Sequence, residues 1–380
     1  MTRKRLGVTD EDLEIAAAVG RYAETELAPH AHAVDQDEIS TVRYVPGLAE
    51  LGVMGMNLPE ALGGPGITPV ALVLSLAELA KRCASTASMV GAHYLATDSV
   101  LLGGSDDTQA RYLPDAAMGI RLGAFALTEP RAGSNPADMS TRAVRQGDSY
   151  RLTGVKHFIS NADEADFIVV YAKTDPHAGH RGISAFVLDR SSPGIQVSSP
   201  EKLMGIRGGH AFELALDCEV PAANRLGAEG EGFLLAMKVL DNSRLDVAAS
   251  SLGIAEAAFE AAVEWAKQRQ VGGEPLSNKQ GIQWMLADMK VRLEAAWGLT
   301  LQALALRMEG KRFTLEASMA KLYASEAAGF ITDTALQIHG GYGYSRELPL
   351  ERYARDARIM RIYEGSSEIQ RTVIARSVLS

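Results

Sequence analysis

The chain has 380 residues, 47% hydrophobic and 22% charged, an ordinary globular balance that can bury a sizeable core without disulfide staples. Its formal charge of −9 argues against a nucleic-acid backbone or an anionic membrane as main partner, because both call for a basic face. Two distant cysteines, Cys83 and Cys218, make no CxxC pair, no secretory signal opens the sequence, and no apolar run reaches bilayer length; the expectation is a cytoplasmic chain.

Residues 1–118 read as helices. "DEDLEIAAAVGRYAETELAPHAHAV" carries apolar residues at helical spacing, and a further helix is predicted to start at Thr68 and Pro69. Between them "LGGPGI" is a turn cluster, with no preceding strand and no GxGxxG to suggest phosphate binding. Residues 119–228 change character. "SYRLTGVKHFIS", "DFIVVYAKT", "GISAFVLDR" and "AFELALDCEV" are short, rich in β-branched and aromatic residues, and separated by turn formers. Without a βαβ rhythm they predict a small antiparallel β domain. Residues 229–380 return to helical spacing in two long runs, then "TLEASMAKLYASEAAGFITDTALQIHGG" and a last helix from Ser366. The expected fold is mainly α with a central antiparallel β domain and a C-terminal four-helix bundle.

Two stretches invite chemistry. "GAFALTEPRAGSNPADMSTRA", residues 123–143, is a loop whose free N–H groups and hydroxyls (Thr128, Ser134) can face an anion; a turn-rich connection explains its composition as well. "RIYEGSSEIQ", residues 361–370, sets Glu364 before a helix start, with Ser367 and Gln370 spaced as a capping box. Alone, such a carboxylate reads as a solvated charge. His177 and His180 form an HxxH in a hairpin loop without a third ligand nearby, so no metal is expected.

As whole strings these stretches are more specific. Residues 123–143 resemble the TEPxAGSD signature of the acyl-CoA dehydrogenase family. "LTGVKHFISNADEAD" resembles its second flavin segment. "EKLMGIRGGHAFELALDCEVPAANRLGAEGEGF" resembles its exit from the β domain. "LDNSRLDVAASSLGIAEAAFEAAVEWAKQRQ" resembles its first long C-terminal helix, and "ALQIHGGYGYSRELPLERYARDARIMRIYEGSSEIQR" its C-terminal signature. The resemblance spans nearly the whole chain in family order. It implies FAD as cofactor, an acyl-CoA thioester as substrate, electron-transfer flavoprotein as acceptor, and a homotetramer built as a dimer of dimers with FAD at the dimer interface.

Carried over by position, the resemblance implies that Phe125, Leu127 and Thr128 hold the flavin ring's polar edge and that Gly133 and Ser134 approach the diphosphate and CoA. Phe158, Ile159 and Ser160 would meet the isoalloxazine. Arg269 and Gln280 would reach FAD from the neighbouring subunit. Gln337, Ile338, Gly340 and Gly341 would surround the adenosine diphosphate, and Ser366, Ser367 and Glu368 would make the last FAD contacts. Asp241, Arg244, Gly365 and again Ser134 fall on the thioester side. Glu364 matches the catalytic base: it would take a Cα proton while the Cβ hydrogen leaves as hydride to flavin N5, giving a trans-2-enoyl-CoA. The family's other base position is occupied by Ser243, which cannot serve. Met89, His93 and Tyr94 suggest the floor of a short- or medium-chain pocket.

Some positions depart from the family pattern. Phe158 and Ser160 stand where Trp and Thr are frequent. Asn135 replaces an Asp, Gly208 and Gly209 follow Arg207 where a hydroxyl residue is common, and Lys279 stands where His is frequent. Gly272 replaces a Phe that stacks on the adenine, which predicts looser FAD. Rival readings are an oxidase or oxygenase of the same fold using O₂, and a non-catalytic relative.

Overall fold

The computed structural model describes residues 5–37 and 39–379. The first third is helical: α1 (Asp10–Tyr22), α2 (Ala31–Asp35), α3 (Val45–Glu50), α4 (Pro69–Arg82), α5 (Ala84–Gly103) and α6 (Asp106–Ala117). α4 starts where the sequence predicts. The Thr68 hydroxyl accepts from the Ala71 N–H at 3.0 Å, and Pro69 occupies the first turn, where its missing N–H costs nothing. The "LGGPGI" turn reverses the chain through Gly63 and Gly66, both at positive φ.

The middle third is a sheet. Its strands are β1 (Gly123–Ala126), β2 (Arg142–Gln146), β3 (Ser149–Ser160), β4 (Phe167–Lys173), β5 (Ile183–Asp189), β6 (Ile195–Val197), β7 (Ala211–Pro221) and β8 (Arg225–Leu226). Their order is β6-β7-β3-β2-β4-β5-β8, with β1 beside β4. Most pairings are antiparallel, as expected. β1 instead runs parallel to β4, and β2 meets β4 at one parallel pair, Arg142 and Lys173. β1 and β4 are not joined by a hairpin: the chain passes through β2 and β3 between them, a route that permits parallel pairing. β3 bulges between Lys156 and Ile159, placing Phe158 at φ +57.

The last third holds α7 (Gly232–Gln268), the hairpin β9 (Gln270–Val271) and β10 (Glu274–Pro275), then α8 (Gln280–Met308), α9 (Thr314–His339), α10 (Gly341–Tyr344), α11 (Leu350–Ile359) and α12 (Ser367–Leu379). The sequence reading misses α11, whose many charges mask the buried Leu350 and Ala357. The bundle therefore has three long helices and a fourth arm broken into α11 and α12, and Glu364 lies in the break. α1, α4, α7, α8, α9 and α11 share one apolar core, so the two helical thirds pack against each other, while the sheet buries a separate core on each face.

Candidate active site

Glu364 sits in the bend between α11 and α12 at φ +54, followed by Gly365 at φ +90. A left-handed glutamate costs energy and persists only where its surroundings fix it. Three donors do so. The Lys321 ammonium on α9 donates to the Gly365 carbonyl at 2.7 Å. The Gln370 amide donates to the carbonyls of Glu364 and Gly365 at 3.2 and 2.9 Å. The Ser367 N–H donates to the Arg361 carbonyl at 2.9 Å. The expected capping box at Ser367 is not what forms. The hydroxyl of Ser366, one residue earlier, accepts from the Ile369 N–H, while Ser367 is buried with its hydroxyl unpartnered. Gln370 is drawn to the strained bend, whose carbonyls need a donor.

Glu364 is half-buried, and its Oε2 is fully enclosed without a hydrogen-bond partner. Its N–H also donates to no described protein group. Desolvation pushes the carboxyl up to about 7, against the Ser243 hydroxyl and the charges of Lys321 and Arg244, which work the other way. Arg244, on α7, is buried and ion-paired to Asp241 three residues back. Asp241 in turn accepts from the Thr314 hydroxyl at 2.6 Å. The bend thus presents a carboxyl poised near neutrality, a free N–H and a buried guanidinium.

A second group gathers on the sheet. The His157 N–H donates to the Thr128 carbonyl at 2.9 Å, joining the segments 125–128 and 157–160 that lie apart in sequence. Phe158 turns outward and is 58% exposed, offering a free ring face. Ile159 does the opposite: its side chain is buried in the sheet core, so only its backbone is available to a ligand. Phe125 packs against Tyr171 with ring centroids 5.1 Å apart. Gly133 and Ser134 are exposed on the loop after β1.

That loop is braced by a pair the sequence reading overlooks. Lys156 is fully buried and donates to Glu129 at 2.9 Å and to the Leu127 carbonyl at 3.1 Å. Glu129 also accepts from the N–H groups of Ser140 and Thr141. Although burial opposes it, these partners hold Glu129 down at about 2, while burial takes Lys156 down to about 8. The signal was present in β3: by strand alternation Lys156 shares a face with Tyr150 and Leu152.

The third group lies at the far end of α9. An open cleft of about 570 Å³ is lined by Trp265, Arg269, Ile338, Gly340, Gly341 and Tyr342. Trp265 stacks on His339 at 4.9 Å, and the Arg269 guanidinium lies 5.6 Å from the Tyr342 ring. Gln280 and Gln337 are exposed nearby in sequence, and Ile338 is 5% exposed. Lys321, beside the Glu364 bend, and His339 are eighteen positions apart on α9, about 27 Å at 1.5 Å per residue. The structure therefore unites the predicted residues into local groups but keeps this third group away from Glu364. Met89, His93 and Tyr94 are buried in packing, with the His93 Nδ1 accepting from the Gly123 N–H and the Tyr94 hydroxyl donating to the Val53 carbonyl.

The chain belongs to the acyl-CoA dehydrogenase family: its N-terminal domain profile matches residues 9–120, the middle domain 124–218 and the C-terminal domain 230–379. The chain is 42% identical over 382 residues to an acryloyl-CoA reductase (NADH) of Anaerotignum propionicum, covering 100% of this chain and 97% of the relative. The solved butyryl-CoA dehydrogenase of Megasphaera elsdenii has a TM-score of 0.96 at 39% identity, covering 99% of this chain and all of that one. A chain described with the electron transferring flavoprotein of Acidaminococcus fermentans gives 0.96 at 40% identity, with the same coverage. The protein is an oxidoreductase of this family, and its cofactor is FAD. No helix among the described residues is long and apolar enough to cross a membrane.

Proposed function

We propose that the protein oxidises an acyl-CoA thioester to the trans-2-enoyl thioester with Glu364 as the Cα-proton base, and passes the electrons to an electron-transfer flavoprotein. The observation carrying this is the state of Glu364: left-handed, unpartnered at Oε2 and raised to about 7, which suits a general base at neutral pH. Bound FAD supplies the acceptor for the Cβ hydrogen and its pair of electrons. The Glu364 N–H would donate to the thioester carbonyl and stabilise the charge that grows there. Ser134, Asp241, Arg244 and Gly365 belong to the thioester side, with Asp241 holding Arg244 in position rather than touching substrate.

The residues present suit a flavin dinucleotide. Phe158 offers a ring face, with Phe125, Leu127, Thr128, the Ile159 backbone and Ser160 around it. Gly133, Gly340 and Gly341 have nothing within 4 Å of where a Cβ would stand, which leaves the backbone open to close approach by phosphate. Ser366, Ser367 and Glu368 follow on the α12 start. The distance along α9 favours a dimer in which Arg269, Gln280 and 337–341 of one copy complete the FAD site of the other. Likeness to a butyryl-CoA dehydrogenase and to a chain described with an electron transferring flavoprotein supports the substrate class and acceptor. Anaerobic titration of the holoenzyme with acyl-CoAs, read as loss of flavin absorbance, tests the reading. Bleaching by at least one saturated acyl-CoA is expected; an unchanged spectrum with every chain would refute it.

A further inference from the structure

Within electrostatic reach of Glu364 lies Asp246, itself within reach of a second acid, Asp98, and the proton transfer uses neither. Asp98 on α5 is 4% exposed and Asp246 on α7 is 8% exposed. Asp98 is held on both oxygens: the Asn57 amide donates at 2.7 Å and the Asn242 amide at 2.9 Å. Asp246 makes no hydrogen bond and no ion pair with any described residue; only burial and the charges of Asp98, Arg307 and Glu364 act on it. It stands one helical turn from Asn242, which grips Asp98, and nearly one turn from Ser243, which borders Glu364. Side chains at those spacings share a helix face, and Asp246 is within electrostatic reach of both Asp98 and the base.

Among the described residues no cation forms an ion pair with either acid. Arg307 reaches both acids electrostatically but pairs with neither, and Arg244 is committed to Asp241. Burial pushes both carboxyls up, as expected of acids short of a positive partner. Two rings stand within the same electrostatic reach of Asp246, those of Tyr94 and Tyr363. An unbranched alkyl chain gains nothing from buried carboxyls, whereas acids beside aromatic rings are the surroundings in which an alkylated ammonium is recognised.

Building on the reading of Glu364 as base, we propose that Asp246 and Asp98 receive the far end of the acyl chain and select thioesters whose chain ends in a positively charged nitrogen. The acyl chain would run from Glu364 along α7, bringing its cationic end to Asp246.

The test compares charged chains with neutral carbon isosteres on the holoenzyme: 4-(trimethylammonio)butanoyl-CoA against 5,5-dimethylhexanoyl-CoA, and 5-aminopentanoyl-CoA against hexanoyl-CoA. Anaerobic flavin bleaching gives kcat/KM for each. A preference of about tenfold or more for at least one charged chain over its isostere is expected, as for a hydrogen bond or contact to a charged group. In Asp246→Asn and Asp98→Asn that ratio should collapse toward one, with Asp246→Asn the larger effect. The ratio is internal to each variant, so a general loss of folded enzyme does not mimic the result. If the neutral chains bleach the flavin as well as the charged ones, this inference fails while Glu364's assignment stands. If the ratio survives in both variants, the cation is recognised elsewhere and the inference fails. If no thioester bleaches it, both fail together.

Discussion

The Lys321 ammonium, fully buried on α9, donates to the Gly365 carbonyl at 2.7 Å. A helix of the bundle thereby grips the bend that carries Glu364. Burial takes Lys321 down to about 8, and the Glu364 charge opposes that shift. The lysine has two tasks, a structural one toward the carbonyl and an electrostatic one toward the carboxyl.

Lys321→Met should separate those tasks. Removing the ammonium leaves the Gly365 carbonyl with the Gln370 amide as its remaining donor, and loss of the charged hydrogen bond should cost about 1–3 kcal/mol in stability, read by chemical denaturation. Removing the charge should also raise the pKa of Glu364, so the acid limb of kcat/KM should move to higher pH. An unmoved limb would leave Lys321 with the structural task alone.

The pH dependence follows from Glu364 itself. The free enzyme needs the carboxylate, so kcat/KM should rise with pH to a plateau above about 7. Stability runs the other way. The native carboxyl holds its proton more tightly than an unfolded one, so its contribution is fully present below about 4.5 and is lost as pH rises through about 7. Glu364→Gln should therefore gain stability relative to wild type at pH 8 and much less at pH 5, which paired melting curves would reveal.

The brace behind the loop after β1 offers a separate prediction. Glu129→Gln leaves the Lys156 ammonium buried with a neutral partner. Breaking such a pair costs about 3–5 kcal/mol. Because Lys156 also holds the Leu127 carbonyl, the variant should purify with less FAD. A variant with wild-type melting temperature and flavin content would show that the brace is dispensable.

FAD retention tests the reading of Gly272. Gly272 and Gly273 form the two-residue turn between β9 and β10 at φ +64 and +82, a turn that favours glycine at both places. The turn geometry thus takes the position of an aromatic ring, whose stacking is worth about 1 kcal/mol. The flavin-to-protein ratio should fall below one after gel filtration at low concentration. A ratio that stays at one would mean that Trp265 and Tyr342 in the cleft make good the loss.

The sequence shows what local patterns encode and hides what the fold assembles. The start of α4 at Thr68 and Pro69, the strands of the sheet and the bend before Ser367 are legible because cap, alternation and turn residues lie within a few positions of each other. α11 is not, since its apolar stripe is thin beneath many charges. The Gln370 contact defeats the capping-box pattern because the carbonyls of Glu364 and Gly365 compete for its amide. Lys321 and Lys156 escape notice for another reason. A buried lysine is identified by its distant partners, Gly365 and Glu129, and no local pattern announces them. The position of Glu364 is legible, but its elevated pKa depends on α7 and α9 closing around it.

Rapid anaerobic mixing of holo Glu364→Gln with a saturated acyl-CoA that reduces the wild type is the most direct measurement. FAD and ligand should still bind, and flavin bleaching should slow about a thousandfold or more, as for loss of an essential base. Bleaching at close to the wild-type rate would mean that another group takes the Cα proton.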